Sequence, residues 1–173
     1  MIYMKHMIID TNVPLKAADL HPQDEVNRKC SLACLSFVSK LMESNDVAIT
    51  LDAGREILKE YQRKIDTHSD DNVASQFLVW VFRNMLTERV VQYQITKIGN
   101  NTYAEFPNSP DLIRFDPSDR KFVALAKVDP SSPNIYNGSD TDWWNFREAL
   151  ERVDVHIVFL CEEYMRAKSK GKQ

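Results

Sequence analysis

Short apolar runs alternate with amphipathic stripes along almost the whole chain, and that alternation narrows the folds open to it. Strand-like runs stand at 7–9, 47–51, 90–95, 135–136 and 155–160. The segments between them space their apolar residues three and four apart, the period of a helix packed on one face. Over 24–43 that stripe is Val26, Cys30, Ala33, Cys34, Phe37, Val38 and Leu41. Further helices are expected over 54–65, with Ile57, Leu58, Tyr61 and Ile65 inward, over 73–86 and over 143–152. Strands alternating with helices predict an α/β protein, a three-layer α/β/α sandwich with a mainly parallel central sheet.

The punctuation supports this division. Thr11, Asn12 and Pro14 break the first run, and 68–72 is a polar gap. Residues 99–118 are rich in Asn, Pro, Ser and Asp and read as one long loop. Asp116-Pro117-Ser118-Asp119 reads as a helix start, with Asp116 as N-cap and Pro117 in the first helical position. No linker or internal repeat is visible. Residues 1–173 are therefore read as a single domain, with 168–173 as a frayed basic tail.

Composition removes several classes of function. The net charge of -3 argues against binding nucleic acid by bulk charge, though less against a nuclease whose site must itself be acidic. With four glycines, a glycine-rich phosphate loop is not expected. The four histidines are scattered without metal-ligand spacing. Cys30, Cys34 and Cys161 are odd in number and sit among apolar residues. They are expected to be separate buried side chains in a reducing compartment, not a disulfide framework. No apolar run approaches the ~20 residues needed to cross a bilayer, and residues 1–7 lead straight into the first strand without a signal segment. The expectation is a cytoplasmic protein with no membrane partner.

The residues that could carry chemistry are acidic. Asp10 ends the first strand, Glu56 lies in the first turn of the helix after the second, Asp119 opens a helix, and Asp140 sits in the turn after 135–136. Ligands of parallel α/β sheets bind beyond the carboxyl ends of the strands, where these residues should gather. Carboxylates brought together repel one another, and a divalent cation relieves that repulsion. Hard oxygen donors suit Mg²⁺ or Mn²⁺, which could activate a water for in-line displacement at a phosphodiester. Each residue also has a plainer role. Asp10 could simply end a strand, Glu56 could be a first-turn helix charge with Glu60 its rival one turn on, and Asp119 and Asp140 could be caps.

The order of these residues resembles the PIN-domain family. Ile8-Ile9-Asp10-Thr11-Asn12 resembles its opening motif, and Ile49-Thr50 followed by Glu56 resembles its strand-to-helix segment. Asp119 leading a helix of small and apolar residues to Ala126 resembles the third motif, and Ser139-Asp140-Thr141-Asp142-Trp143 the fourth. The resemblance covers about residues 7–160. It implies that Asp10, Glu56, Asp119 and Asp140 bind Mg²⁺ or Mn²⁺ as the catalytic set, with Asp142 as an outer ligand, and that the substrate is RNA. Many members are toxins held by an antitoxin, and many form homodimers. A catalytically silent binding module and a structure-specific DNA nuclease are the alternatives. Arg114, Arg120 and Lys121 flank the third motif and are the residues expected to hold RNA. Gly138 departs from the hydroxyl residue often found in the fourth motif, and the segment 66–115 is longer than in the smallest members.

Overall fold

The computed structural model describes residues 4–19, 21–66 and 72–169. Five strands form one sheet: β1 (Lys5–Ile9), β2 (Val47–Asp52), β3 (Val90–Tyr93), β6 (Asn134–Asn137) and β7 (Ile157–Phe159). Their order is β3-β2-β1-β6-β7, and every neighbouring pair is parallel. Parallel sheets need cover on both faces. All six residues of β2 are buried accordingly, as are Ile8 and Ile9 of β1.

Helices supply that cover. On one face α1 (Asn12–Ala17), α2 (Glu25–Glu43) and α4 (Val73–Asn84) pack together, and Phe37 of α2 stacks on Tyr136 of β6. On the other lies α5 (Arg120–Val128). The residue after it, Asp129, accepts hydrogen bonds from Thr50 of β2 and Ser131 and pairs with His6 of β1. These contacts anchor the end of α5 to the sheet. The expected three-layer sandwich with a parallel sheet is the observed one.

The local starts follow the sequence chemistry. Asp24 caps α2 by accepting from the Asn27 amide, and Asn72 caps α4 through the Ala74 amide, each worth about 1 kcal/mol. Asp52 closes β2 and accepts from the amides of Glu56 and Ile57, so it starts α3 (Glu56–Lys64). Asp116 accepts from the Ser118 amide and opens a 3-10 turn, Pro117–Asp119, that leads into α5.

Several expectations need correction. The first strand ends at Ile9, where a break was expected, but the break leads directly into a helix, α1, which begins at Asn12. Pro14 falls in its first turn, where the missing N–H was not needed for a helical bond. Residues 99–118 are not a plain loop. They complete a hairpin of β4 (Lys97–Gly99) and β5 (Thr102–Tyr103) and include two 3-10 turns. The expected final fraying gives way to α7 (Glu162–Ser169), which includes Arg166 and Lys168. The remaining tail, 170–173, and the polar gap except Asn72 lie outside the described residues.

The cysteine expectation is also overturned. α7 packs against α2, and Cys30 and Cys161 form a disulfide across 131 residues. Cys34, one turn along α2, is a buried free thiol 3.7 Å from Cys161 Sγ. Burial pushes that thiol up to about 12, so it is a poor nucleophile toward the bond beside it. Among the described residues no helix is long and apolar enough to cross a membrane.

Candidate functional site

The strand order creates one place where two neighbouring strands send the chain in opposite directions. From β1 the chain moves outward to β2 and β3, then returns to the other side of β1 as β6 and β7. The crevice beyond the carboxyl ends of β1 and β6 is the switch point at which such sheets bind ligands. Asp10 follows β1, and Asn137, Gly138, Ser139 and Asp140 follow or end β6. Ile9 pairs with Tyr136, so continuing the register by one residue sets Asn137 beside Asp10.

Each residue of Asp10-Thr11-Asn12 has a separate task. Asp10 is buried, and its Oδ1 accepts from both the backbone and side-chain amides of Asn12, at 2.9 and 2.6 Å. Its Oδ2 is buried with no hydrogen-bond partner. The Thr11 hydroxyl donates to Glu60 at 2.7 Å and so ties α3 to the strand end. The Asn12 side-chain oxygen, Oδ1, accepts from the backbone amides of Gly138 and Ser139, which fixes the turn after β6. A Cβ on Gly138 would stand 2.9 Å from that oxygen and 3.1 Å from Cys34 Sγ. Any larger residue at 138 would have to displace the Asn12 side chain that holds the turn.

Three carboxyls share the site's charge. Burial, with the charges of Asp140 and Glu60, raises Asp10 to about 7 despite its bond from the Asn12 amide. Burial, then the charges of Asp10, Asp140 and Asp116, raise Asp119 to about 8. Asp140 is raised by burial and by Asp142 and Asp116, while the Asp142 amide it caps works the other way. Asp119 opens α5 without making a side-chain cap bond, and Asp140 caps α6 (Thr141–Glu151). The plain capping role therefore holds for Asp140 and not for Asp119. Asp142 is exposed on the first turn of α6.

The two glutamates part company. Glu56 faces away from Asp10 toward Lys97 of the hairpin, 2.7 Å away, and Lys59, 3.3 Å away; the bond to Lys97 holds it below its usual range. Glu60 is 4% exposed and next to Asp10 through Thr11. Its burial opposes ionisation, but Lys121 at 2.5 Å and Lys64 at 2.8 Å keep its value low. Lys64 in turn is held charged by its bond to Glu60 and by the charges of Glu60, Asp10 and Asp119, which outweigh its partial burial. The site thus brings together Asp10, Glu60, Asp119 and Asp140, with Glu56 in the adjoining recess.

The cations expected to hold RNA are divided too. Arg120 donates to the Ile113 and Phe115 carbonyls and lies over the Phe106 ring, so it braces the loop before α5. Lys121 is buried against Glu60. Arg114 is exposed. Asn137, read from sequence as a turn residue, is fully buried with both side-chain polar atoms unpartnered. Only its place beside Asp10 in the sheet could have flagged it.

The acidic groups sense one another's charge, yet they do not stand closed around a common point. Among the described residues, the group whose donor atoms already lie within 4.8 Å of one another is Cys30, Cys34 and Cys161. Sulfur donors suit softer metals than Mg²⁺ or Mn²⁺, and two of these sulfurs are bonded to each other. Asp10 Oδ2 is buried without a hydrogen-bond partner, and Asp10 and Asp119 are raised by burial and neighbouring negative charge; oxygen donors of this kind are the sort a hard divalent cation takes. No family model, curated protein or solved structure matches the chain.

Proposed function

We propose that this protein is a metal-dependent endoribonuclease whose site lies at the β1–β6 switch point. The observation that carries the reading is Asp10 Oδ2, a buried carboxylate oxygen without a hydrogen-bond partner among other proton-holding carboxyls. A buried polar oxygen left without a partner is costly, and a perturbed carboxyl beside it at a strand-end crevice is what a ligand site would show. Asp10, Asp119 and Asp140 are the residues proposed to hold Mg²⁺ or Mn²⁺, with Glu60 in place of Glu56 as the fourth carboxylate and Asp142 at the rim. Bound there, the cation would lower the pKa of a water and neutralise charge on the phosphate. Asn12 keeps Asp10 aimed and holds the Asp140 turn in place. Lys64 offsets part of the negative charge that would otherwise repel the substrate.

The choice of RNA rests on the PIN-domain resemblance. So do the proposals of an antitoxin-like protein inhibitor and of a homodimer; the exposed Val79 and Phe82 of α4 support a protein contact of either kind. Action on cellular RNA places the protein in the cytoplasm, which requires the Cys30–Cys161 disulfide to withstand a reducing pool. Both cysteines are buried, which favours that. The open spacing of the carboxylates favours a second reading, a catalytically silent RNA- or protein-binding module.

The test is cleavage of labelled single-stranded RNA with Mg²⁺ or Mn²⁺, with EDTA and Asp10→Asn as controls. The nuclease predicts cleavage lost in both controls. Cleavage that survives both sinks the mechanism, and metal-independent binding without cleavage selects the silent module.

A further inference from the structure

Beside the acidic site lies a recess of about 310 Å³ between α3 and the β4–β5 hairpin. One helical stripe of α3 lines it, with Glu56, Lys59, Glu60 and Arg63 at the spacing that shares a face. The opposite face, with Ile57, Leu58 and Tyr61, is buried in the core. Lys97 of the hairpin and Lys121 of α5 complete the charged wall, and Asn100 and Asn101 at the hairpin turn add amide groups. The volume is at the small end of the range that holds a ligand.

The charges are unequal. Glu60 is neutralised from below by Lys121 and Lys64, and Glu56 is held by Lys97. Lys59 is only loosely engaged with Glu56 at 3.3 Å and is 66% exposed. Arg63 is exposed and makes no ion pair among the described residues. The recess therefore carries a surplus of positive charge in a protein that is acidic as a whole. It also joins the acidic site directly: Glu60 lines the recess and binds Thr11 beside Asp10, and Lys121 lies two residues after Asp119.

We infer that this recess seats the phosphate backbone of single-stranded RNA next to the bond to be cut. The inference rests on the nuclease reading for its substrate, and it assigns the holding role to Lys59 and Arg63 in place of Arg120 and Lys121, which are occupied within the fold. A carboxylate cluster repels the phosphates it must approach; the exposed Arg63, with Lys59 that shares Glu56 with Lys97, holds the strand against that repulsion. A flexible single strand can follow a recess between a helix and a hairpin, whereas the stiff rim of a duplex cannot.

The experiment measures binding of a fluorescent single-stranded RNA to the Asp10→Asn protein in Mg²⁺ over a range of salt. The comparison adds Lys59→Gln and Arg63→Gln, which leave Lys97 to keep Glu56 paired. Each phosphate contact removed lowers the log–log salt slope by about 0.7, equivalent to roughly fivefold in affinity at 0.1 M salt. Lys40→Gln with Arg83→Gln, exposed cations on α2 and α4, should leave both quantities unchanged. Thermal melts confirm that all variants fold. Unchanged affinity in the recess variant, or an equal loss in the control pair, overturns the inference. Wild-type cleavage is measured in parallel. Cleavage without a recess effect leaves the nuclease standing and removes the recess; a recess effect without cleavage does the reverse.

Discussion

Replacing Asp10 by Asn removes a charge that the folded protein tolerates poorly. Its carboxyl moves from 3.8 to about 7 on folding, chiefly through burial. Such a shift disfavours the ionised folded state by about 4 kcal/mol once pH is well above 7. The amide brings its own penalty, because the nitrogen replacing Oδ2 becomes a buried donor without a partner, at about 1–3 kcal/mol. The balance at pH 8 without metal is a stabilisation of about 1–3 kcal/mol. In a chain of this size each kcal/mol moves Tm by about 2–4 °C. The pH dependence has a definite sign. The folded-state value lies above the unfolded one, so the folded state keeps its proton over the interval from about 4 to about 7. The wild type therefore loses stability as pH rises through that interval, and below it the penalty is absent. Thermal melts in EDTA at pH 5 and pH 8 test this. Asp10→Asn should melt above wild type at pH 8, and the gap should close or reverse at pH 5. A variant that melts below wild type at both values, by the same margin, would refute the reasoning.

Other substitutions separate the residues at the site. Glu60→Gln strips the buried Lys121 of its partner and should cost about 3–5 kcal/mol in urea unfolding, with loss of cleavage; Glu56→Gln should cost under about 1 kcal/mol and leave cleavage in place. The reverse ranking would return Glu56 to the site. Gly138→Ala forces a Cβ against Asn12 Oδ1 and should cost about 1–3 kcal/mol and lower cleavage by disturbing Asp140; wild-type melting and activity would show that the turn yields freely. Cys161→Ser opens a covalent loop of 131 residues and should lower unfolding free energy by about 3–5 kcal/mol, matching wild type in dithiothreitol. Insensitivity of wild type to the reductant at equilibrium would contradict the disulfide.

The sequence carried the fold well where periodicity and end signals agreed. The β1 run closing on Asp10, the Asp116-Pro117 start before α5 and the turn at Asp140 all declare themselves through local chemistry. The parallel sheet followed from strands spaced by helices. What failed was long-range or depended on rotation. Glu56 and Glu60 are one turn apart on a shared face, and the roll of α3 against Thr11 decides which lies by Asp10. The Cys30–Cys161 bond joins α2 to a helix at the far end of the chain, with nothing local to announce it. The β4–β5 hairpin is too short to show alternation, and its turn is marked only by Gly99-Asn100-Asn101, where Asn101 takes a left-handed φ of 49°. The buried Asn137 looks like a turn residue until the sheet register sets it beside Asp10. The surplus positive charge of the recess, four cations against Glu56 and Glu60, emerges only once the hairpin and α5 bring Lys97 and Lys121 to the stripe of α3.

The central claim is that the carboxyls around Asp10 form a site for a hard divalent cation, and titration of Mn²⁺ into the metal-free protein by calorimetry addresses it most directly. Run at pH 6.5 in buffers of differing ionisation enthalpy, the titration counts protons released on binding. Because Asp10 and Asp119 hold protons at that pH, binding should release about one or more, fewer as pH is raised to 9, and Asp10→Asn should abolish it. Absence of Mn²⁺ binding, or binding that persists in Asp10→Asn without proton release, would contradict the claim.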